Sequence, residues 1–250
     1  MIGIVTAMPE ERTAVLKAMR QVSRERHGGL LLYCGQLAQQ AVCLAEGGIG
    51  TTAAARAAKL LLDTQRPSLL VSAGFCGAVR PGPVAGDLVL SSRLLTADPE
   101  RVQELLLPDS RQLAARLAAE LQHHGLRAWQ GSFITTRAIT SKTAISTRLP
   151  EDMAHPVLEM ESAAVALAAN GAGIPFIGLR AVSDDCTEEL QFSLDEISTA
   201  DGQVAAGRVL LLLLRRPVLL GQMLRLASGS AKAGKSLRHG LERLVENLAA

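Results

Sequence analysis

Short, nearly unbroken apolar runs recur along this chain at residues 2–6, 68–73, 88–91, 129–135 and 174–182. Runs of that length, rich in Val, Ile and Leu, read as strands covered on both faces. Two further runs at 30–34 and 40–45 are separated by a polar turn and read as a hairpin. Between the strands lie segments of helical character. Pro9 can open a helix directly after the first strand, an alanine-rich stretch covers 53–62, and residues 109–124 carry an amphipathic pattern. Strands alternating with helices predict an α/β fold, a single three-layer domain whose mixed, mostly parallel central sheet is flanked by helices.

The segment from 157 to 185 organises the rest. An apolar run stops on Glu159, Met160 and Glu161, a small-residue helix follows, and a second run ends on Ser183, Asp184 and Asp185. In open α/β sheets ligands sit outside the carboxyl ends of the strands. Carboxylates from two strand ends could therefore meet in one pocket. Glu11 sits in a first helical turn, where the helix dipole favours a carboxylate whether or not it has another task. Gly47-Gly48-Ile49-Gly50 precedes a helix, and Gly74-Phe75-Cys76-Gly77 follows a strand; each is a glycine-flanked turn able to bring backbone N–H groups close to a ligand. Neither has Walker or G-x-G-x-x-G spacing. The polar connection 136–150 is long enough to arch over a site, whereas His123, His124 and His155 have no metal-ligand spacing and read as surface.

Composition narrows the function. Of 250 residues 48% are hydrophobic and only 2% aromatic, so the core is aliphatic and platforms for stacking nucleic-acid bases are absent. The formal charge of +2 hides an asymmetry: residues 215–250 carry seven Lys or Arg against two Glu, leaving the body mildly acidic. Cys34, Cys43, Cys76 and Cys186 form no C-x-x-C pair and read as free thiols of a reducing cytoplasm. The first residues lack a basic n-region and a cleavage site, so no secretory signal is expected. No spacing implies a metal or an organic cofactor.

In chain order, Gly3-Ile4-Val5 through Ala7-Met8-Pro9-Glu10-Glu11, Gly48-Ile49-Gly50, Gly74-Phe75-Cys76-Gly77 with Gly86-Asp87, Glu159-Met160-Glu161 and Arg180-Ala181-Val182-Ser183-Asp184 resemble the nucleoside phosphorylase and nucleosidase superfamily. The likeness is to methylthioadenosine/S-adenosylhomocysteine nucleosidases in particular and covers residues 1–214. It implies cleavage of a ribose N-glycosidic bond with a purine nucleoside as substrate. Asp184 resembles the acid that protonates purine N7, and Glu11 the carboxylate that orients and deprotonates water. Glu161 resembles the carboxylate on the ribose hydroxyls, with Met160 against the sugar and Glu159 a lesser contact. Gly74, Phe75, Ile139 and Ser183 complete the implied substrate-binding set. A homo-oligomer is implied by the resemblance alone.

The resemblance leaves hydrolysis and phosphorolysis both open. Phosphorylases of the superfamily hold phosphate with arginines and a hydroxyl near the Gly74 turn, where this chain has Ser72 and Phe75. A phosphate without arginine is poorly compensated, and Glu11 would repel it, so hydrolysis is the expectation. The tail, 215–250, is expected to be a basic, Leu-rich helical extension beyond the nucleosidase domain. Arg215-Arg216-Pro217 followed by Leu-rich basic helices is similar to the branch called hopanoid-associated phosphorylases, implicated in removing adenine from adenosylhopane. Leu219, Leu220, Met223, Leu224 and Leu226 would then give an apolar face able to touch the inner membrane, or to pack on the body.

Overall fold

A computed structural model describes residues 1–106, 110–138, 140–189, 215–216 and 219–249. The elements in chain order are β1 (Ile2–Thr6), α1 (Pro9–Leu16), β2 (Arg20–His27), β3 (Leu30–Leu37), β4 (Gln40–Glu46), α2 (Thr51–Gln65), β5 (Leu69–Ala78), β6 (Leu88–Ala97), β7 (Val102–Leu105), α3 (Ser110–His123), β8 (Ala128–Thr136), α4 (Lys142–Ser146), β9 (Val157–Glu159), α5 (Ser162–Gly171), β10 (Phe176–Asp184) and α6 (Leu220–Ala249). The strands form one sheet in the order β10-β6-β8-β9-β5-β1-β4-β3-β2, with β7 on β6. Because β10 also pairs with β5, the first five strands close into a ring.

The sheet is mixed as expected, but parallel pairings are only half of the ten: β1–β4, β1–β5, β10–β5, β6–β8 and β8–β9. The β2–β3–β4 meander, the β7 arm and the joins that close the ring supply the antiparallel ones. Alternate residues of each strand feed opposite faces. Ile4, Val71, Ile177 and Leu179 pack with α1, α3 and α6, while Val5, Leu70 and Phe176 pack with α2 and α5. The result is three layers.

Two expectations change, one strand appears that none foresaw, and the tail takes one of the courses left open for it. β2 has no apolar alternation and is exposed along its length; it exists because β3 offers it a free edge. The segment 74–78 is not a turn: it continues β5, with Gly74 opposite Arg180 and Cys76 opposite Val182. Cys34 and Cys43 are not free thiols. They face each other across β3 and β4 with Cα atoms 4.1 Å apart and are joined as a disulfide, leaving Cys76 and Cys186 free. A spacing of nine residues carries no such signal until the hairpin folds it. Finally, α6 lies on the body, burying Ala233, Leu237, Leu241, Leu244 and Val245 in the same core as β10. Among the described residues no helix is long and apolar enough to cross a membrane.

Candidate active site

Three strand ends meet beside the C-terminal part of β5. β1 delivers Ala7, Met8 and Glu11, β9 delivers Glu159 to Glu161, and β10 delivers Ser183 and Asp184. They line a cavity of about 460 Å³ together with Ile49, Phe75, Cys76, Gly77, Thr136, Leu158 and, from the arching connection, Thr140, Ser141 and Lys142, closed by Glu189. That volume suits a small-molecule ligand.

Glu11 is both the helix cap and a cavity wall. Its Oε2 accepts from the backbone N–H of Ala7 (2.8 Å) and Met8 (2.9 Å), closing the start of α1, and its Oε1 accepts from Phe75 N–H at 2.8 Å. Burial raises its pKa, opposed by Arg180 and these three N–H donors.

Arg180 had no assigned role in the sequence, and it is the hub of the site. It is 1% exposed, with its guanidinium 3.2 Å from Glu161 and 4.0 Å from Glu11 and in direct contact with Glu159. It also donates to Ser72 and Ser162. One cation thus serves three buried carboxylates, and the excess negative charge leaves its mark: burial first, then the neighbouring Glu159 and Glu11, push Glu161 up to about 7 despite Arg180. Gly50, which has φ of 97° and ends the glycine-rich turn before α2, gives its N–H to Glu161 at 3.0 Å. That turn therefore holds a carboxylate of the protein.

Glu159 lines the cavity, but its oxygens already accept from Thr135, Arg180 and the backbone N–H groups of Glu161 and Ser162. It fixes the turn that aims Glu161. Gly74 stands behind the wall: a Cβ there would lie 2.2 Å from Arg180 Nη1 and 2.5 Å from Glu11 Oε1. Only glycine lets those two side chains approach across β5. Gly77 does the same for the far end, where a Cβ would lie 2.6 Å from Asp184 Oδ2 and 2.8 Å from Lys142 Cε. Asp184 is held by Ser183 Oγ (2.5 Å) and paired with Lys142 Nζ. Lys142, 6% exposed, was not singled out in the sequence; only the arching of 136–150 pointed to it. Phe75, Met160 and Ser183 line the cavity, and Ile139 lies outside the described residues. Glu120, His123 and His124, at the end of α3, bring ligand atoms within 4.8 Å of one another, a grouping the sequence spacing did not suggest, but none of them lines the cavity.

Residues 1–215 match the family model described as the phosphorylase superfamily. The chain belongs to that superfamily. It is 30% identical over 216 residues to the 5′-methylthioadenosine/S-adenosylhomocysteine nucleosidase of Listeria monocytogenes, covering 78% of this chain and 91% of that one. The Shewanella halifaxensis nucleosidase of the same name is 27% identical, with coverage of 85% and 98%. Among solved structures, the S-adenosylhomocysteine nucleosidase of Streptococcus pyogenes in complex with 5-methylthiotubericidin superposes with a TM-score of 0.73 at 22% identity, covering 99% of this chain and 96% of that one. The futalosine hydrolase of Helicobacter pylori gives 0.73 at 17% identity, with coverage of 98% and 97%. Both solved structures share the fold of this chain.

Proposed function

We propose that this enzyme hydrolyses the N-glycosidic bond of a 5′-substituted purine nucleoside and releases adenine. The observation that carries the reading is the convergence of Glu11, Glu161 and Asp184 from three separate chain segments on one cavity. Breaking the bond leaves positive charge on the ribose ring and negative charge on the departing base. A carboxylate at Glu161 accepts hydrogen bonds from ribose hydroxyls and supports the cationic sugar. Asp184 passes a proton to N7 as the base departs, and Glu11, whose proton affinity burial has increased, takes the proton of the attacking water. Among the described residues, three carboxylates around one guanidinium leave no uncommitted cation for phosphate at that end, which favours water as the nucleophile.

The leading candidate for the 5′ substituent is a hopane, making adenosylhopane the substrate. Support comes from the tail's likeness to the hopanoid-associated branch and from the first turns of α6. There Gln222 donates to the Glu189 carbonyl and Arg225 pairs with Glu188, tying the helix to the cavity rim while Leu220 and Leu224 stay exposed. Methylthioadenosine is the alternative that the relatives' names favour. Chromatography of base released from adenosine, 5′-methylthioadenosine and adenosylhopane decides between them. Preference for adenosylhopane is expected; preference for methylthioadenosine would move the enzyme to nucleoside salvage. The resemblance further implies a homo-oligomer, read by light scattering on the eluting protein.

A further inference from the structure

Lys142 is a buried ammonium that the reaction just described does not use. It opens α4, and the start of that helix is tied down by the Glu189 carboxylate, which accepts from Lys142 N–H (3.2 Å), Thr143 N–H (2.7 Å) and the hydroxyls of Ser141 and Thr143 (both 3.0 Å). From there Nζ reaches Asp184 Oδ2, the Asp185 carbonyl (2.5 Å) and the Asp184 carbonyl (3.4 Å). Ser183 Oγ donates to the other carboxylate oxygen of Asp184 at 2.5 Å. Both oxygens of the acid therefore face donors, and one donor is a cation. Gly77 is the residue that makes room for this pair.

Resting on the hydrolytic reading above, we propose that Lys142 is a positioning residue that supplies, through Asp184, the proton delivered to the leaving base. The Lys142–Asp184 ion pair holds a transferable proton on Nζ, in contact with the carboxylate that would pass it on. In the step, an N–H bond of Lys142 breaks as an O–H bond forms on Asp184 Oδ2. That O–H bond then breaks as N7–H forms, while the electron pair of the C1′–N9 bond passes into the purine. Water adds its oxygen to C1′ and gives a proton to Glu11. The amine regains its proton from solvent after the base departs. Charge is conserved, and no co-reactant beyond water enters.

The test compares two leaving groups, adenine in 5′-methylthioadenosine and 4-nitrophenolate in a 4-nitrophenyl riboside, which departs as a stable anion without protonation. In Lys142→Gln, kcat for the nucleoside is expected to fall by about 100-fold or more, with KM within about threefold. The loss on the nitrophenyl riboside should be at least about tenfold smaller. Lys142→Arg keeps the charge and the ion pair but cannot release its proton. It is expected to retain the wild-type melting temperature yet share the selective loss, which also covers the case in which Lys142→Gln does not fold. A Lys142→Arg enzyme as active as wild type on the nucleoside would overturn the proposal, as would equal losses on both substrates. Both results leave the hydrolytic reading standing. Wild-type enzyme that releases neither leaving group, nor adenine from adenosylhopane, would overturn that reading together with this one.

Discussion

Asp184 is the residue on which the proposed chemistry turns. Asp184→Asn removes the proton carrier while keeping the shape and the Ser183 contact. It is expected to lower turnover of adenine nucleosides by about 100- to 10,000-fold and, because it leaves the buried Lys142 ammonium without its carboxylate, to lower the melting temperature as well. Near-normal turnover, measured by adenine release, would remove Asp184 from the acid role. Glu161 makes a separate prediction from its pKa of about 7 against an ordinary 4.5. In the proposed role the ionised form accepts the ribose hydroxyls, so kcat/KM should rise with pH through about 7, and Glu161→Gln should lose that limb. The same shift acts on stability with a definite sign. A carboxyl whose folded pKa is raised binds protons more tightly in the fold, so its contribution is most favourable below about 4.5 and is lost as pH rises to about 7. Melting temperature should therefore fall over that interval in wild type and fall less in Glu161→Gln, as differential scanning calorimetry can record.

Among the elements, β5 holds the site because it carries glycine where two charged pairs must cross it. Gly77→Ala would force a methyl group against Asp184 and Lys142, an overpacking that costs about 1–3 kcal/mol if the strand stays put. Activity on adenine nucleosides should fall more than stability suggests, because the pair itself is displaced; comparing denaturant midpoints with kcat checks this. The glycines at 74 and 77 are also where sequence reading went astray. Gly-Phe-Cys-Gly after a buried run looks like a turn, because the need for glycine comes from Glu11 and Arg180, which are distant in the chain. β10, β9 and α5 were legible because apolar runs ended abruptly on charged residues. β2 was not, since an exposed edge strand need not alternate. Glu161 and Asp184 could be picked out by their positions at strand ends, whereas Glu11, in the first turn of a helix, was marked only by the family resemblance. Arg180 and Lys142 could not, because a buried cation betrays itself only through the carboxylates folded around it.

At the scale of the molecule, α6 is part of the core. Leu237, Leu241, Leu244 and Val245 are each fully buried, and burying such a side chain is worth about 1.5–3 kcal/mol. Against a typical net stability of roughly 5–15 kcal/mol, removing the helix should unfold the domain. Circular dichroism of a chain ending at residue 219 would show it, and a folded truncation would contradict the packing account. A role in substrate delivery is better tested at Leu220 and Leu224, which are 51% and 63% exposed. Serine at both positions should leave methylthioadenosine cleavage intact and reduce cleavage of adenosylhopane in vesicles.

The proposed nucleophile is water, held by a carboxylate-rich site. Wild-type enzyme incubated with 5′-methylthioadenosine in phosphate-free buffer, and again with added phosphate, tests it most directly. Equal adenine release is expected in both, with free methylthioribose as the other product. Release only when phosphate is present, with a ribose 1-phosphate formed, would contradict it.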